Sequence, residues 1–207
     1  MSSKPKASQA DKDGMHRILL AARNEFCRAG LAGAKLDVIA MEANVSKQLI
    51  HHYFRTKTEL YGAMVSETAS WLIAQLNALD YEQCKPDEAI ARFIGGLFDI
   101  LHEQPFIAGL FNDQSLSGGQ HSREQIIRHP ELMARLDKVM KKGQESGHFK
   151  ADINTNDILA AALMVTIGCF TSGKIISTFV PVSFESYEDI ASWRDLSVQF
   201  ALTALRA

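Results

Sequence analysis

The stretch that decides the fold is LDVIAMEANVSKQLIHHYF, residues 36–54. Its apolar residues recur at helical spacing in two short runs, with Asn44 and Ser46 between them. Asn44 tolerates the left-handed backbone that often ends a helix, and Ser46 can accept a hydrogen bond from a free N–H of the following first turn. Two short helices joined by about three residues have the spacing of a helix-turn-helix.

Helical periodicity continues on both sides of this motif. Upstream, an apolar stripe runs from Ile18 to Phe26, and Gly30 ends it. No period-two pattern typical of a strand competes with the helical one. The sequence therefore predicts an all-α fold. Downstream helices are expected at about 60–79, 87–103, 155–178 and 186–205, with shorter ones around a Ser/Gly-rich segment at 115–122.

Charge is distributed unevenly along the chain. Residues 1–60 contain ten Lys and Arg against six Asp and Glu, whereas the remaining residues contain twelve against eighteen. The first segment thus carries a net charge of +4 and the rest carries −6. A basic end on an otherwise acidic protein is the electrostatic pattern expected for binding a polyanion. This asymmetry favours nucleic acid as the partner of the first sixty residues.

Other function classes find little support in the sequence. The chain contains no GxSxG, GxxxxGK[ST], HExxH or CxxC motif, so no enzymatic activity is expected. Adjacent His51 and His52 point about 100° apart on a helix and cannot bind one ion together, so neither a metal nor another cofactor is predicted. Three widely spaced cysteines and a polar N-terminus without an apolar leader predict a cytoplasmic protein.

A set of residues within 26–60 stands in the order and spacing of a known family. The matching positions are Phe26, Gly30, Ile39, Ala40, Val45, Ser46, Ile50, Tyr53, Phe54, Lys57 and Leu60. With them, the stretch resembles the N-terminal domain of the tetracycline-repressor (TetR) family. The resemblance implies a transcription regulator, more often a repressor than an activator, that binds double-stranded operator DNA as a homodimer. A dimer matches the two-fold symmetry of a palindromic operator.

Two features depart from the family's pattern. Lys35 stands where the family usually has Ser or Thr at the start of the second helix, so it cannot cap that helix but can contact a DNA phosphate. The recognition helix carries Gln-Leu-Ile-His at 48–51 in place of the common Gly-Thr-Leu-Tyr. The cap of the second helix is therefore unassigned, and the operator sequence cannot be transferred from a relative.

The third helix supplies most of the candidate DNA contacts. Val45, Ile50 and Phe54 can face the other two helices, which leaves the opposite face of the third helix outward. Gln48 can donate and accept at an adenine edge, and Leu49 can either touch a thymine methyl or pack in the core. Lysine and tyrosine at the remaining positions are typical of phosphate contacts. The predicted contacts are Lys35, Ser46, Lys47, Gln48, Leu49, His51, His52, Tyr53 and Lys57.

On this basis the chain divides into an N-terminal arm at 1–13, a helix-turn-helix domain at 14–62 and a helical domain at 63–207. The resemblance implies that the last domain serves regulation and dimerisation and often encloses a small-molecule effector. Its candidate pocket walls are mostly aromatic, although each residue can equally belong to an ordinary core. They are Trp71, Phe93, Phe98, His102, Phe106, Phe111, Met164 and Phe170. Because no Lys or Arg is among them, we expect an uncharged, apolar effector.

Two closing helices are apolar enough to require burial, either within the chain or against a second copy. A second copy is favoured because a two-fold operator needs a dimer, and a core helix of a monomer is the alternative. The expected interface residues are Ile158, Ala162, Val165, Ile190, Trp193 and Phe200. The apolar stretch 158–173 ends at Lys174 before it reaches membrane-spanning length, so it predicts a buried helix and no membrane contact.

One alternative function stays open from the residues alone. A helical protein-interaction or sensor module without specific DNA binding would be compatible with the unusual recognition helix. The basic character of the first sixty residues argues against that alternative.

Overall fold

The computed structural model describes residues 9–116 and 130–206. Among these residues the one extended pairing is an isolated bridge between Phe149 and Arg206, so the expected all-α fold is confirmed. Shorter helices at Phe106–Leu116 and Glu131–Glu145 flank the Ser/Gly-rich segment as expected, and residues 117–122 of that segment lie outside the described residues. Within the described ranges the chain forms nine helices: α1 (Gln9–Gly33), α2 (Leu36–Glu42), α3 (Lys47–Tyr53), α4 (Lys57–Ala78), α5 (Pro86–Glu103), α6 (Phe106–Leu116), α7 (Glu131–Glu145), α8 (Thr155–Ile176) and α9 (Tyr187–Leu205).

The helices belong to two compact units, Met1–Ala69 and Ser70–Ala207. The predicted domain boundary, between residues 62 and 63, lies a few residues before the boundary between the two units. Both boundaries fall within α4, which begins in the first unit and ends in the second. The predicted arm at 1–13 is too long, because α1 already begins at Gln9. Residues 1–8 of the predicted arm lie outside the described residues.

The first unit is built around a small apolar core. Ile18, Ile39, Ile50 and Leu60, from the four successive helices, are fully buried. The rings of Phe26 and Tyr61 meet edge to face with centroids 5.2 Å apart. Burial anchors α2 and α3, since helices of seven residues are not stable by themselves in water.

The turns of the first unit follow the sequence-based expectations. Asn44 has φ 52°, the left-handed conformation expected between α2 and α3. The hydroxyl of Ser46 accepts a hydrogen bond from the backbone N–H of Leu49 at 3.2 Å and so caps α3. Gly30 has φ 66° and kinks the end of α1, a conformation that favours glycine.

The second unit is organised around α5, which packs against α7, α8 and α9. Two glycines in α5 allow neighbouring side chains to approach it closely. A Cβ on Gly95 would lie 2.7 Å from Nη2 of Arg194, and one on Gly96 would lie 2.6 Å from Cδ1 of Leu79. The close approach of these two side chains therefore accounts for the pair of glycines.

Helix α8 is apolar but is mostly exposed in the single chain. By length and composition, the stretch Asn156–Ile176 is apolar enough to cross a membrane, and it is the one such helix in the part of the chain that the structure describes. Only 22% of its apolar window is buried within the chain. The described residues thus leave most of α8 uncovered, and its burial against a second copy, the alternative that the sequence favours, stays a prediction.

Gly143 in α7 provides a test of this packing. The Phe149 ring lies where a side chain on residue 143 would be, with Cδ2 only 2.1 Å from the position of a Cβ. Gly143→Ala must displace the ring, and we expect it to lower the free energy of unfolding by about 1–3 kcal/mol in urea denaturation.

The matched control is Gly109→Ala in α6, where a Cβ would meet nothing within 4 Å. Alanine has the higher helix propensity, so this variant should be more stable by up to about 1 kcal/mol. Equal stability of the two variants would contradict the packing of Phe149.

Candidate nucleic-acid interface

Helix α3 separates an apolar inward face from a polar outward face. Ile50 is fully buried and Phe54 is nearly so, as the helical spacing predicts. Leu49 is half-buried, which leaves both core packing and contact with a thymine methyl compatible with its position. The outward side chains on α3 include Gln48, His51 and His52, which are all exposed. This face offers hydrogen-bond donors and acceptors of the kind that read base edges in a major groove.

Lys47, at the first position of α3, is paired with Asp37 of α2. Its Nζ lies 2.9 Å from Oδ1 of Asp37, and both side chains are largely exposed. Exposed ion pairs of this kind contribute little free energy and are screened by salt. The Lys47 ammonium can therefore exchange this carboxylate for a DNA phosphate at small cost.

Tyr53 closes α3 against the beginning of α1. Its ring meets that of His52 with centroids 5.4 Å apart, and its hydroxyl lies 3.9 Å from the position of a Cβ on Gly14. The beginning of α1 thus lies in ordinary van der Waals range of the residue that ends the recognition helix.

Lys57, expected to contact phosphate, makes its hydrogen bonds inside the fold. Its Nζ donates to the backbone carbonyl oxygens of Ala32 at 2.9 Å and Ala34 at 3.1 Å. These carbonyls lie where α1 ends and the connection to α2 begins. The geometry gives Lys57 a part in holding that connection.

Lys35 is exposed and occupies the N-cap of α2, where no side chain of α2 or of Lys35 itself caps the helix. Its backbone N–H instead donates to Oε1 of Glu25 in α1 at 3.0 Å. Oε2 of Glu25 also accepts from Nη2 of Arg28 at 2.6 Å. The cap left unassigned by the sequence is therefore replaced in part by a carboxylate from another helix.

Glu25 is the functional candidate that the sequence-based prediction missed. The residue is only 2% exposed. The N–H of Lys35, and then the guanidinium of Arg28, hold the pKa of its carboxyl below the usual value for glutamate. One signal was available, because Glu25 stands seven residues after Ile18 and therefore on the inward face of α1.

Among the described residues, the predicted effector-pocket residues are not gathered around one cavity of ligand size. Phe98 and Phe170 pack with ring centroids 4.9 Å apart, and Phe93 lines a cavity of about 20 Å³ between α5, α7, α8 and α9. Small-molecule sites usually have volumes of about 300–1,000 Å³. Of the other predicted residues, Phe106 and Phe111 are partly buried against the core, whereas Trp71, His102 and Met164 are exposed.

The predicted interface residues divide between the core and the surface of the single chain. Ala162 is buried and lines the small cavity, so it lacks the exposure that an interface residue needs. Trp193 is partly buried, and its indole N–H donates to the carbonyl of Val165 at 3.4 Å. Ile158 and Ile190 are half-buried, and Phe200 is exposed. Larger exposed apolar side chains on the same two helices, not predicted as interface residues, are Met164, Ile175 and Leu196.

Two family models match the chain at its two units. The model described as "Bacterial regulatory proteins, tetR family" matches residues 18–64, which contain the helix-turn-helix. The model "Tetracyclin repressor-like, C-terminal domain" matches residues 86–200, more than half of the chain. The chain belongs to the TetR family. It is accordingly a DNA-binding transcription regulator, as the residues at 26–60 predicted, and the alternative of a pure interaction module is not favoured.

Individual relatives of this TetR-family chain agree with that assignment. The transcriptional repressor NicS of Pseudomonas putida is 25% identical over 207 residues, which cover 97% of this chain and 96% of NicS. The repressor SCO4008 of Streptomyces coelicolor is 31% identical over 143 residues, 69% of this chain and 71% of SCO4008. The structure of FadR from Bacillus subtilis with stearoyl-CoA shares the fold, with a TM-score of 0.71 and 16% identity over 91% of this chain and 98% of FadR.

Proposed function

We propose that this TetR-family regulator binds a palindromic operator as a homodimer through α3, and represses transcription until a small-molecule effector releases it. The observation that carries the proposal is the geometry of α3. Ile50 is buried in the core on one face of α3, whereas Gln48 and His51 are exposed on the other face. NicS and SCO4008 are both named repressors, which supports repression as the mode of action. The proposal includes no catalytic activity, cofactor or metal, and places the protein in the cytoplasm, where its DNA is.

Base reading is assigned to Gln48, with Leu49 as a candidate for contact with a thymine methyl. The exposed amide of Gln48 can donate and accept at once, as the N6 and N7 atoms of adenine require. The other predicted contacts supply affinity and register through the phosphates. These are Lys35, Ser46, Lys47, His51, His52 and Tyr53. Lys57 differs from these residues because its ammonium already has two hydrogen-bond partners within the fold.

The dimer is supported by an uncovered apolar face on α8 and α9. Met164, Gly168, Thr171 and Ile175 follow one another on α8 at intervals of three or four residues, the spacing of one helix face. A Cβ on Gly168 would meet nothing within 4 Å, so this position is open to a close neighbour. Exposed residues on α9 at the same spacing are Ser192, Leu196 and Phe200. Because these positions carry no Lys, Arg, Asp or Glu, a second copy can cover them without burying a charge.

An effector must enlarge the space that the described residues leave in the second unit. The cavity of about 20 Å³ has almost entirely apolar walls, including Ile94, Leu136 and Leu159, which favours an apolar effector. To invert a 99:1 population of DNA-binding and released states, the effector must prefer the released state by about 5.5 kcal/mol. Opening of this apolar core on binding is one source of such a preference.

Selection of bound duplexes from a random or genomic pool tests the DNA-reading role of α3. Gln48→Ala should lose the preference for one base in each half-site, a discrimination of about 1–3 kcal/mol, because no other atom replaces the amide. The readout is the base frequency at each position of the recovered duplexes, together with gel-shift affinity.

Gln83→Ala serves as the control, because Gln83 is an exposed glutamine of the second unit. It should recover the wild-type operator. Identical base frequencies for Gln48→Ala and wild type at every position would remove base reading from Gln48.

The dimer is tested by a charge placed on the uncovered face. Met164 is 75% exposed on α8, and Met164→Glu should dissociate the dimer because the carboxylate would be buried without a partner. Analytical ultracentrifugation at micromolar concentration should then show a monomer where the wild type is a dimer.

Met41 in α2 provides a matched control, since this methionine is 76% exposed in the first unit. Met41→Glu should leave the sedimentation of the dimer unchanged. A Met164→Glu variant that sediments like the wild type would place the interface elsewhere.

A further inference from the structure

The connection between α1 and α2 is held from two sides by oppositely charged side chains. It comprises residues 32–35, from the last turn of α1 to the N-cap of α2. A helix leaves carbonyl groups without partners at its end and N–H groups at its beginning, so this short segment contains both kinds. Glu25 accepts from an N–H of the segment, and Lys57 donates to two of its carbonyls.

Glu25 performs a task that usually belongs to the capped helix itself. In a capping box, a Glu or Gln at the third position of a helix accepts from the backbone N–H of its own N-cap. In α2 that third position is Val38, which has no acceptor, and the N–H of Lys35 goes to Glu25 of α1 instead. Because Glu25 is 2% exposed, water cannot readily replace it. The carboxylate therefore ties the start of α2 to the body of α1.

Lys57 completes the arrangement from the opposite side. A cation in the first turn of a helix is disfavoured by the helix dipole, and Lys57 is the first residue of α4. The beginning of α4 does not need its side chain, since the hydroxyl of Thr56 already accepts from the N–H of Glu59 at 3.0 Å. The carbonyls of Ala32 and Ala34 give the ammonium favourable partners in this position.

We propose that Glu25 and Lys57 form a clamp on residues 32–35 that positions α2, and through α2 the recognition helix. Lys57 then acts on DNA binding through the fold and not by contact with a phosphate. Ile39 of α2 supplies the link onward, because it is fully buried in the core that α2 shares with Ile50 of α3. A shift of α2 must therefore move α3. The inference rests on the proposed DNA-reading role of α3.

The competing role for Lys57, a direct phosphate contact, has a different dependence on salt. Affinity for DNA falls as salt rises, and the salt slope is the absolute slope of log affinity against log salt concentration. Each phosphate neutralised by a protein cation contributes about 0.9 to this slope. Removal of a phosphate contact therefore lowers the slope by about that amount. Removal of a positioning contact lowers the affinity at every salt concentration and leaves the slope unchanged.

The test compares Lys57→Met with Lys47→Met in the full-length protein. Methionine keeps most of the length of the lysine side chain and removes only the ammonium. The first measurement needs no DNA: hydrogen–deuterium exchange of the backbone amides at residues 34–39. Lys57→Met should accelerate this exchange about tenfold or more, the equivalent of one hydrogen bond to a charged group. Lys47→Met should leave it unchanged, because Lys47 is bound only to an exposed side chain.

The second measurement is the salt slope of affinity for the operator recovered by selection. We expect Lys47→Met to lower the slope by about 0.9 and Lys57→Met to weaken binding without changing the slope. A slope lowered by Lys57→Met with unchanged exchange at 34–39 would overturn the proposal in favour of a phosphate contact. Unchanged exchange and unchanged affinity for Lys57→Met would overturn it as well.

Glu25→Met examines the other half of the clamp and should accelerate exchange at the same amides. If that variant does not fold, Lys57→Met alone decides between the two roles. The exchange measurement also separates this inference from the proposed function. If the wild type recovers no operator, the proposed function fails, whereas the amide exchange rates at residues 34–39 of the variants still confirm or contradict the clamp.

Discussion

A recognition helix of seven residues cannot hold its own shape in water, and the first unit is built around that constraint. Ile50 fixes α3 to the core, Ser46 caps its beginning, and Tyr53 at its end lies near the beginning of α1. The outward face is then free to carry polar residues for DNA. Because every support of α3 comes from outside the helix, the geometry of DNA reading depends on how α1, α2 and α4 are joined.

The second unit meets a different constraint, an apolar surface that the described residues of the chain leave uncovered. Helix α8 is apolar along its length, yet less than a quarter of its apolar window is buried. A close fit of helices around α5, in which Gly95 receives Arg194, leaves little space for an effector in the described core. In the proposed function a second chain covers this surface and an effector opens the core, and the two events together can couple effector binding to the arrangement of the dimer.

The sequence was sufficient wherever a signal is local. Asn44 and Ser46 mark a turn and a cap by their own chemistry, and Ile50 marks the inward face by its spacing. It was insufficient where partners are distant in the chain. The bond from the N–H of Lys35 to Glu25 spans ten residues, and Lys57 reaches carbonyls more than twenty residues away. The sequence of α8 shows that the helix is apolar, but only the packing shows which of its residues face outward. Met164, predicted for the pocket, is exposed, whereas Ala162, predicted for the interface, is buried.

The most direct measurement compares binding of the purified protein to the selected palindrome, to one half-site and to an unrelated duplex, at physiological salt and with the stoichiometry of each complex determined. The account requires two chains on the palindrome, a large loss of affinity on the half-site, and an affinity for the palindrome about a thousandfold or more above that for unrelated DNA. A single chain per palindrome, or equal affinity for the palindrome and the unrelated duplex, would contradict it.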